Sequence, residues 1–272
     1  RVKRSASSGG DGVTWATALY SLQDALDIAE CNSLVTQIWV ADGSYTPDFG
    51  TGHTPGNKSS SFILRNGLSI LGGFAGNETF ASQRDPASNV TILTGDLSGN
   101  DEPNFANYSD NSFSIVNADN TDSSAVLDGF TIRGGNNSFG GGLFADSGNP
   151  VIIRCVFKEN LGFFGGGACF AAGSPQVLQC RFESNLAQGM GVRQGGGLML
   201  LNCNAAVIEQ CIFSDNVVNR IGTPTGSGGA LQITDSDAVV VNCLFSGNNA
   251  DLGGAVAVSG STSIVTITNC TI

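Results

Sequence analysis

Four copies of one short pattern decide what this chain can fold into. Phe157-Lys-Glu-Asn160, Phe182-Glu-Ser-Asn185, Phe213-Ser-Asp-Asn216 and Phe245-Ser-Gly-Asn248 each follow a cysteine placed two residues before the phenylalanine: Cys155, Cys180, Cys211 and Cys243. A fifth copy begins at Cys270 and reaches Ile272, where the phenylalanine would stand. Between these runs lies a second unit, two glycines leading into a small or apolar stretch, which begins at Gly140, Gly165, Gly195, Gly228 and Gly253. From the first glycine to the next Phe position the separations are 17, 17, 18, 17 and 19 residues, whereas from Phe to the next glycine pair they are 8, 13, 15 and 8. One edge of the repeat tolerates insertion and the rest is fixed. A period of 25 to 33 residues is too short to bury its own apolar face, so the units must stack on one another.

Inside the fixed part, Val207-Ile-Glu209 and Val239-Val-Val241 read as short strands, a polar residue plus Cys makes a corner, and Cys-x-Phe opens the next strand. With a further strand at the glycine pair, the expected fold is all-β: a right-handed parallel β-helix, a solenoid with three short strands per coil. Equivalent residues of stacked coils lie about 4.8 Å apart. Phe157, Phe182, Phe213 and Phe245 therefore form one internal stacking column and Asn160, Asn185, Asn216 and Asn248 another. The asparagine amides bond the copies above and below and satisfy corner backbone groups. The same spacing makes Cys155, Cys180, Cys211, Cys243 and Cys270 a candidate disulfide column, with at least one link expected, Cys155 to Cys180 or Cys211 to Cys243. A stack of reduced, buried thiols is the alternative.

The amino-terminal half reads as the same solenoid with less regular coils. Trp15, Leu19, Leu22, Ala25, Leu26 and Ala29 have helical spacing on one face, which predicts a capping helix over the first coil, with Trp15 and Trp39 in the core. The expected organisation is a flexible segment over 1–10 and one β-helix domain over 11–272. The cap spans 11–45, irregular early coils 46–139 and regular coils 140–272, with the solenoid expected to continue past 272 or to dock there on a neighbouring subunit. Arg1-Val2-Lys3-Arg4 matches the R-x-K-R pattern of secretory-pathway processing, and its expected state is a basic disordered end. The variable edge, residues 186–194 and 217–227, is expected to project as partner-contacting loops.

Asp11-Gly-Val-Thr-Trp15, the helix and Ile38-Trp-Val-Ala-Asp-Gly-Ser-Tyr-Thr-Pro47 resemble the capping segment of bacterial-type secreted β-helix proteins. Gly72-Gly-Phe-Ala-Gly-Asn-Glu78 and Leu127-Asp-Gly-Phe-Thr-Ile-Arg-Gly-Gly-Asn136 resemble their early coils. The glycine-pair and Phe-x-x-Asn units are similar to the repeats of chlamydial-type polymorphic outer membrane proteins. The resemblance covers nearly the whole chain and implies a secreted, surface-located solenoid.

Composition narrows the partners. Twelve Lys plus Arg against 23 Asp plus Glu give a net charge of −11, which disfavours nucleic acid and anionic membrane surfaces, and no apolar run approaches a membrane span. Polyuronide cleavage needs clustered carboxylates with a basic partner. There is no Asp-Asp pair, His53 sits in a Gly/Thr/Pro loop, Lys58 and Lys158 are isolated, and Arg133, Arg154 and Arg181 lack acidic neighbours in sequence. No catalytic residue, metal ligand or cofactor is expected. Ca2+ has only the weak candidates Asp235 with Asp237 and Asp96 with Asp101 and Glu102. Candidate N-glycosylation sequons are Asn57, Asn77, Asn89, Asn107, Asn136 and Asn269. The expected function is an extracellular structural or adhesive protein acting through self-contact or contact with other surface proteins. The alternative is a polysaccharide-binding or polysaccharide-cleaving β-helix.

Overall fold

The computed structural model describes residues 1–221 and 225–272. Every strand pair of the sheets is parallel, and each coil visits the sheets in the same order. In the coil that starts at residue 126, Val126–Asp128 lies in the first sheet, Thr131–Arg133 in the second, Asn136–Phe139 in the third and Leu143–Asp146 in the fourth. The first sheet has eight strands, the second and fourth have seven, and the third has four. Alternation sends one set of side chains inward. Leu127, Ile152, Val177, Ile208 and Val240 come from the first sheet and Ile132 with the four phenylalanines from the second, all at most 4% exposed.

The expected columns are present. Phe157, Phe182, Phe213 and Phe245 stack with ring centroids 4.8, 4.8 and 5.0 Å apart and planes 6° from parallel. At the corner between the second and third sheets, Asn185 donates from Nδ2 to the Phe157 carbonyl at 2.8 Å and to Asn216 Oδ1 at 2.9 Å. Its own Oδ1 accepts from Asn160 N at 3.1 Å and Asn160 Nδ2 at 3.0 Å. Asn160, Asn216 and Asn248 make the same contacts with their neighbours. The glycine pairs serve close approach: a Cβ on Gly167 would lie 2.5 Å from the Gly197 carbonyl oxygen and 3.0 Å from the Phe182 ring.

The polar corner before each cysteine has a conformational cause. Arg154, Gln179, Gln210, Asn242 and Asn269 all have φ between 51° and 56°, the left-handed region that turns the chain sharply from the first sheet into the second. The cysteine column that follows is not cross-linked: all eight cysteines are free thiols. The expected Cys155–Cys180 and Cys211–Cys243 bridges fail because in-register neighbours project their Cβ atoms in parallel. Their separation stays near the strand spacing of about 4.8 Å, beyond the ~3.8 Å that a disulfide prefers. Each thiol instead bonds carbonyls of its own and the preceding coil, as Cys180 does to Leu178 at 3.3 Å and Ile152 at 3.5 Å. Burial pushes the Cys180 thiol well above its ordinary pKa and keeps it protonated.

Three further expectations are corrected. The first part of the variable edge is sheet, not projecting loop: Leu161–Phe164, Leu186–Met190 and Val217–Ile221 add a fourth strand to their coils, so their backbone groups pair with one another. Within that edge, residues 222–224 lie outside the described residues. The capping helix is Leu22–Cys31, shorter than its periodicity suggested, because Ser21 ends it as N-cap by accepting from Asp24 N. Trp15 precedes the helix, half-buried against Phe74, while Trp39 is buried and stacks on Phe74 at 4.9 Å.

Residues 1–4 are not a free end. Val2 is 0% exposed and bridges Val40 and Leu19, Arg1 stacks on Trp39 at 3.7 Å, and Arg4 lies over Tyr20 at 4.4 Å and Phe49 at 4.6 Å.

Two outcomes follow. Asn185→Ala strands the Phe157 carbonyl and the Asn160 amide in the interior and should cost about 3 kcal/mol in urea unfolding, given about 1–3 kcal/mol for each buried group left unpaired. Trypsin should spare Lys3 and Arg4 in the folded chain and cut there once Val2→Asp has opened the strand. Equal cleavage of both would show that this segment is free.

Candidate ligand-binding groove

The early coil that uses Thr91–Thr94 in the second sheet has no strand in the third. Residues 96–112 take its place and cross the corner of the following coils as a strap. The chain reverses at Glu102, which bridges Ala106, through Asn104, Phe105 and Asn107 at φ of 63°, 62° and 67°. A bulky residue such as Phe105 enters the left-handed region only under surrounding constraint. That constraint is a set of staples: Tyr108 Oη donates to the Glu159 carbonyl at 3.0 Å, and Asn136 Nδ2 donates to the Tyr108 carbonyl at 2.7 Å. Asn111 Nδ2 reaches both Asp101 oxygens at 3.0 Å and the Gly134 carbonyl at 2.7 Å.

The strap leaves a cleft on each side of residues 96–102. One, of about 660 Å³, is bounded by Arg4, Ser44, Phe49, Thr94, Asp96 and Arg133. The other, of about 420 Å³, is bounded by Asp101, Glu102, Phe105, Tyr108, Arg133 and Glu159, and reaches Ser184. Both are lined by Arg133, so the two clefts adjoin at that side chain, and together they are called the groove. It touches the strands Gly43–Tyr45, Thr91–Thr94 and Thr131–Arg133 and then the corner residues Glu159 and Ser184, which follow the next two strands of the second sheet. Four steps between five coils make it about 19 Å long, at about 4.8 Å per step.

Arg133 stands apart from the other arginines singled out by sequence. Arg154 is bound to Asp128, which also holds Arg84, and Arg181 is paired with Glu183 at 2.6 Å. Among the described residues Arg133 has no carboxylate at ion-pair distance, and its buried Nε has no partner. Facing it, Asp101 is pushed up to about 6 by burial and by repulsion from Asp96 and Asp110, against the opposing pull of Asn111 and Arg133. Tyr108 is raised by burial first and then by Asp101 and Glu159. Phe105 meets the Tyr108 ring edge-on at 5.2 Å. The arrangement offers a cationic donor, several carboxylate acceptors and an aromatic pair in one cleft.

The remaining candidates lie elsewhere. Asp235 and Asp237 are turned onto backbone amides of Ser261 and Ile264, Asp96 onto those of Asn100 and Asp101, and no three Asp, Glu, His or Cys converge as a metal site among the described residues. His53 faces Asp27 at 3.4 Å; it lies two residues before Pro55, which bounds the larger cleft, and is not itself among the lining residues. Of the sequons, Asn57, Asn77, Asn107 and Asn269 are exposed and Asn89 and Asn136 are partly buried. No described helix is long and apolar enough to cross a membrane. Sequence reasoning missed the groove because Asp101, Arg133 and Glu159 are far apart in the chain. Register was the available signal: the residue after each inward second-sheet side chain points outward, which aligns Arg133, Lys158 and Glu183 in one row.

Residues 104–272, more than half of the chain, match the family model described as right handed beta helix region. The chain belongs to this family of right-handed β-helices. Comparison with curated proteins and with solved structures gives no match.

Asp101 carries a signed prediction. Its folded-state pKa lies above the unfolded value, so the folded state binds the extra proton between about pH 4 and 6 and stability falls as pH rises through that window. Asp101→Asn should leave stability unchanged at pH 3.5 and raise it at pH 7.5. The gain should be about 1 kcal/mol, discounted because the carboxylate is partly solvated. Thermal unfolding at the two pH values checks the sign.

Proposed function

We propose that this chain is an extracellular adhesive β-helix that acts by holding a linear polysaccharide in the groove through Arg133. The groove carries the reading. It extends over five successive coils, a shape suited to a polymer, and its lining combines polar groups with the aromatic residues Phe49, Phe105 and Tyr108. Hydroxyl-rich ligands need donors and acceptors side by side with apolar surface for their ring faces. Location outside the cell is supported by a surface built from Ser, Thr, Asn and Gly and by six sequons. The flank of the third sheet adds contact surface: Phe139 and Phe164 stack at 5.1 Å, and Arg193 lies 4.1 Å above the exposed Phe163 ring.

Cleavage is a second reading, favoured by one observation. Asp101, with its raised pKa, shares a cleft with the Glu159 carboxylate, as an acid and a base must for glycoside hydrolysis.

An array of linear polysaccharides should show binding to a defined subset. Arg133→Ala should weaken that binding at least tenfold, whereas Arg181→Ala, whose native side chain is committed to Glu183, should change it less than twofold. Absence of binding across the array would refute the groove reading. Release of reducing ends, abolished by Asp101→Asn, would establish cleavage.

A further inference from the structure

The groove is electrically lopsided, and this bears on which polymers it can hold. Asp101, Glu102 and Glu159 line the cleft, with Asp96 and Asp110 immediately behind Asp101. The cations among and around them are Arg133, Lys158, which pairs with Glu159 at 3.6 Å, and Lys58, which acts on Asp110. Five carboxylates thus face three cations, in a chain whose net charge is already −11. Hydrogen-bonding capacity leans the same way. Asn111 is 0% exposed and held against Asp101 through its Nδ2, and its buried Oδ1 has no donor. Asp110 Oδ1 is likewise buried and unpaired, against a single orphaned donor in this region, Arg133 Nε. Both oxygens lie behind Asp101, outside the residues that bound the cleft, and add negative potential to its wall.

We propose, building on the groove reading, that the polymer held there carries free amino groups, and that polyuronides are excluded. An ammonium placed between Asp101, Glu102 and the Phe105–Tyr108 pair gains charge-assisted hydrogen bonds and an aromatic face, and it relieves the repulsion crowded around Asp101. In the smaller cleft a carboxylate-bearing chain meets Arg133 as its unpaired cation, Arg4 lying in the larger one, and it adds charge to a negative field. Arg133 then serves the hydroxyls of the same chain. Its placement between the two clefts sets the polymer's path, while the carboxylates set its charge.

The test compares three probes at pH 6.5 and low salt: a β-1,4-linked glucosamine oligosaccharide, its fully N-acetylated counterpart and a galacturonate oligosaccharide of the same length. Calorimetry should place the glucosamine probe at least tenfold tighter than the acetylated one, with the galacturonate probe weakest. Its affinity should fall steeply with added salt. Asp101→Asn combined with Glu102→Gln should collapse the ratio between the first two probes to near one, and the thermal unfolding of that variant confirms that it is folded. Equal or tighter binding of the acetylated or galacturonate probe overturns the charge assignment while leaving the groove reading standing. If none of the three binds, the charge assignment falls, and the polysaccharide array decides the groove reading separately.

Discussion

The in-register stacking of identical side chains is the interaction on which the molecule depends. A parallel coil presents the same residue at the same height in each turn, so a good choice at one position is repeated down the solenoid. Burying one Phe contributes about 1.5–3 kcal/mol, and here four such rings lie face to face with planes 6° apart. The asparagine column does for polar groups what the rings do for apolar ones. It takes backbone amides and carbonyls at a corner that no strand ladder reaches and pairs each of them. A slip of one residue would send Phe outward and Asn away from the corner together, so register and stability are fixed by the same residues.

Most of this was legible in the chain itself. The Phe-x-x-Asn copies located the second sheet and its corner, and the glycine pairs located the fourth sheet. Two things were not legible. Cysteines at stacking distance read as a disulfide framework because Cα spacing alone permits it, and only the parallel Cβ directions exclude it. The edge around residues 186–190 and 217–221 read as loop because its lengths vary, yet length variation does not stop neighbouring insertions from pairing with each other.

The groove was illegible for a different reason. Repeats are visible by comparison within the sequence, and functional positions are where the repetition is broken. The strap replaces a strand, Arg133 stands where later coils carry Lys158, Glu183 and Ser214, and Phe105 occupies backbone space that ordinary side chains avoid. Each departure is local, and none shares a motif with the others. Their convergence is a product of stacking. Chain segments about 25 residues apart become neighbours at every turn, so a site can be assembled from single irregularities in successive coils.

The asparagine ladder has a direction. Each Nδ2 donates forward to the Oδ1 of the next coil, from Asn160 through Asn185 and Asn216 to Asn248. Four amide dipoles therefore point the same way along the solenoid axis, and their fields add as those of peptide units do in a helix. The backbone dipoles of the sheets also run along that axis, but they alternate in direction from residue to residue and largely cancel. A protein made almost wholly of strands thus acquires an axial polarity at one buried corner. Glu159 sits at its first rung, at the edge of the groove, within reach of that field.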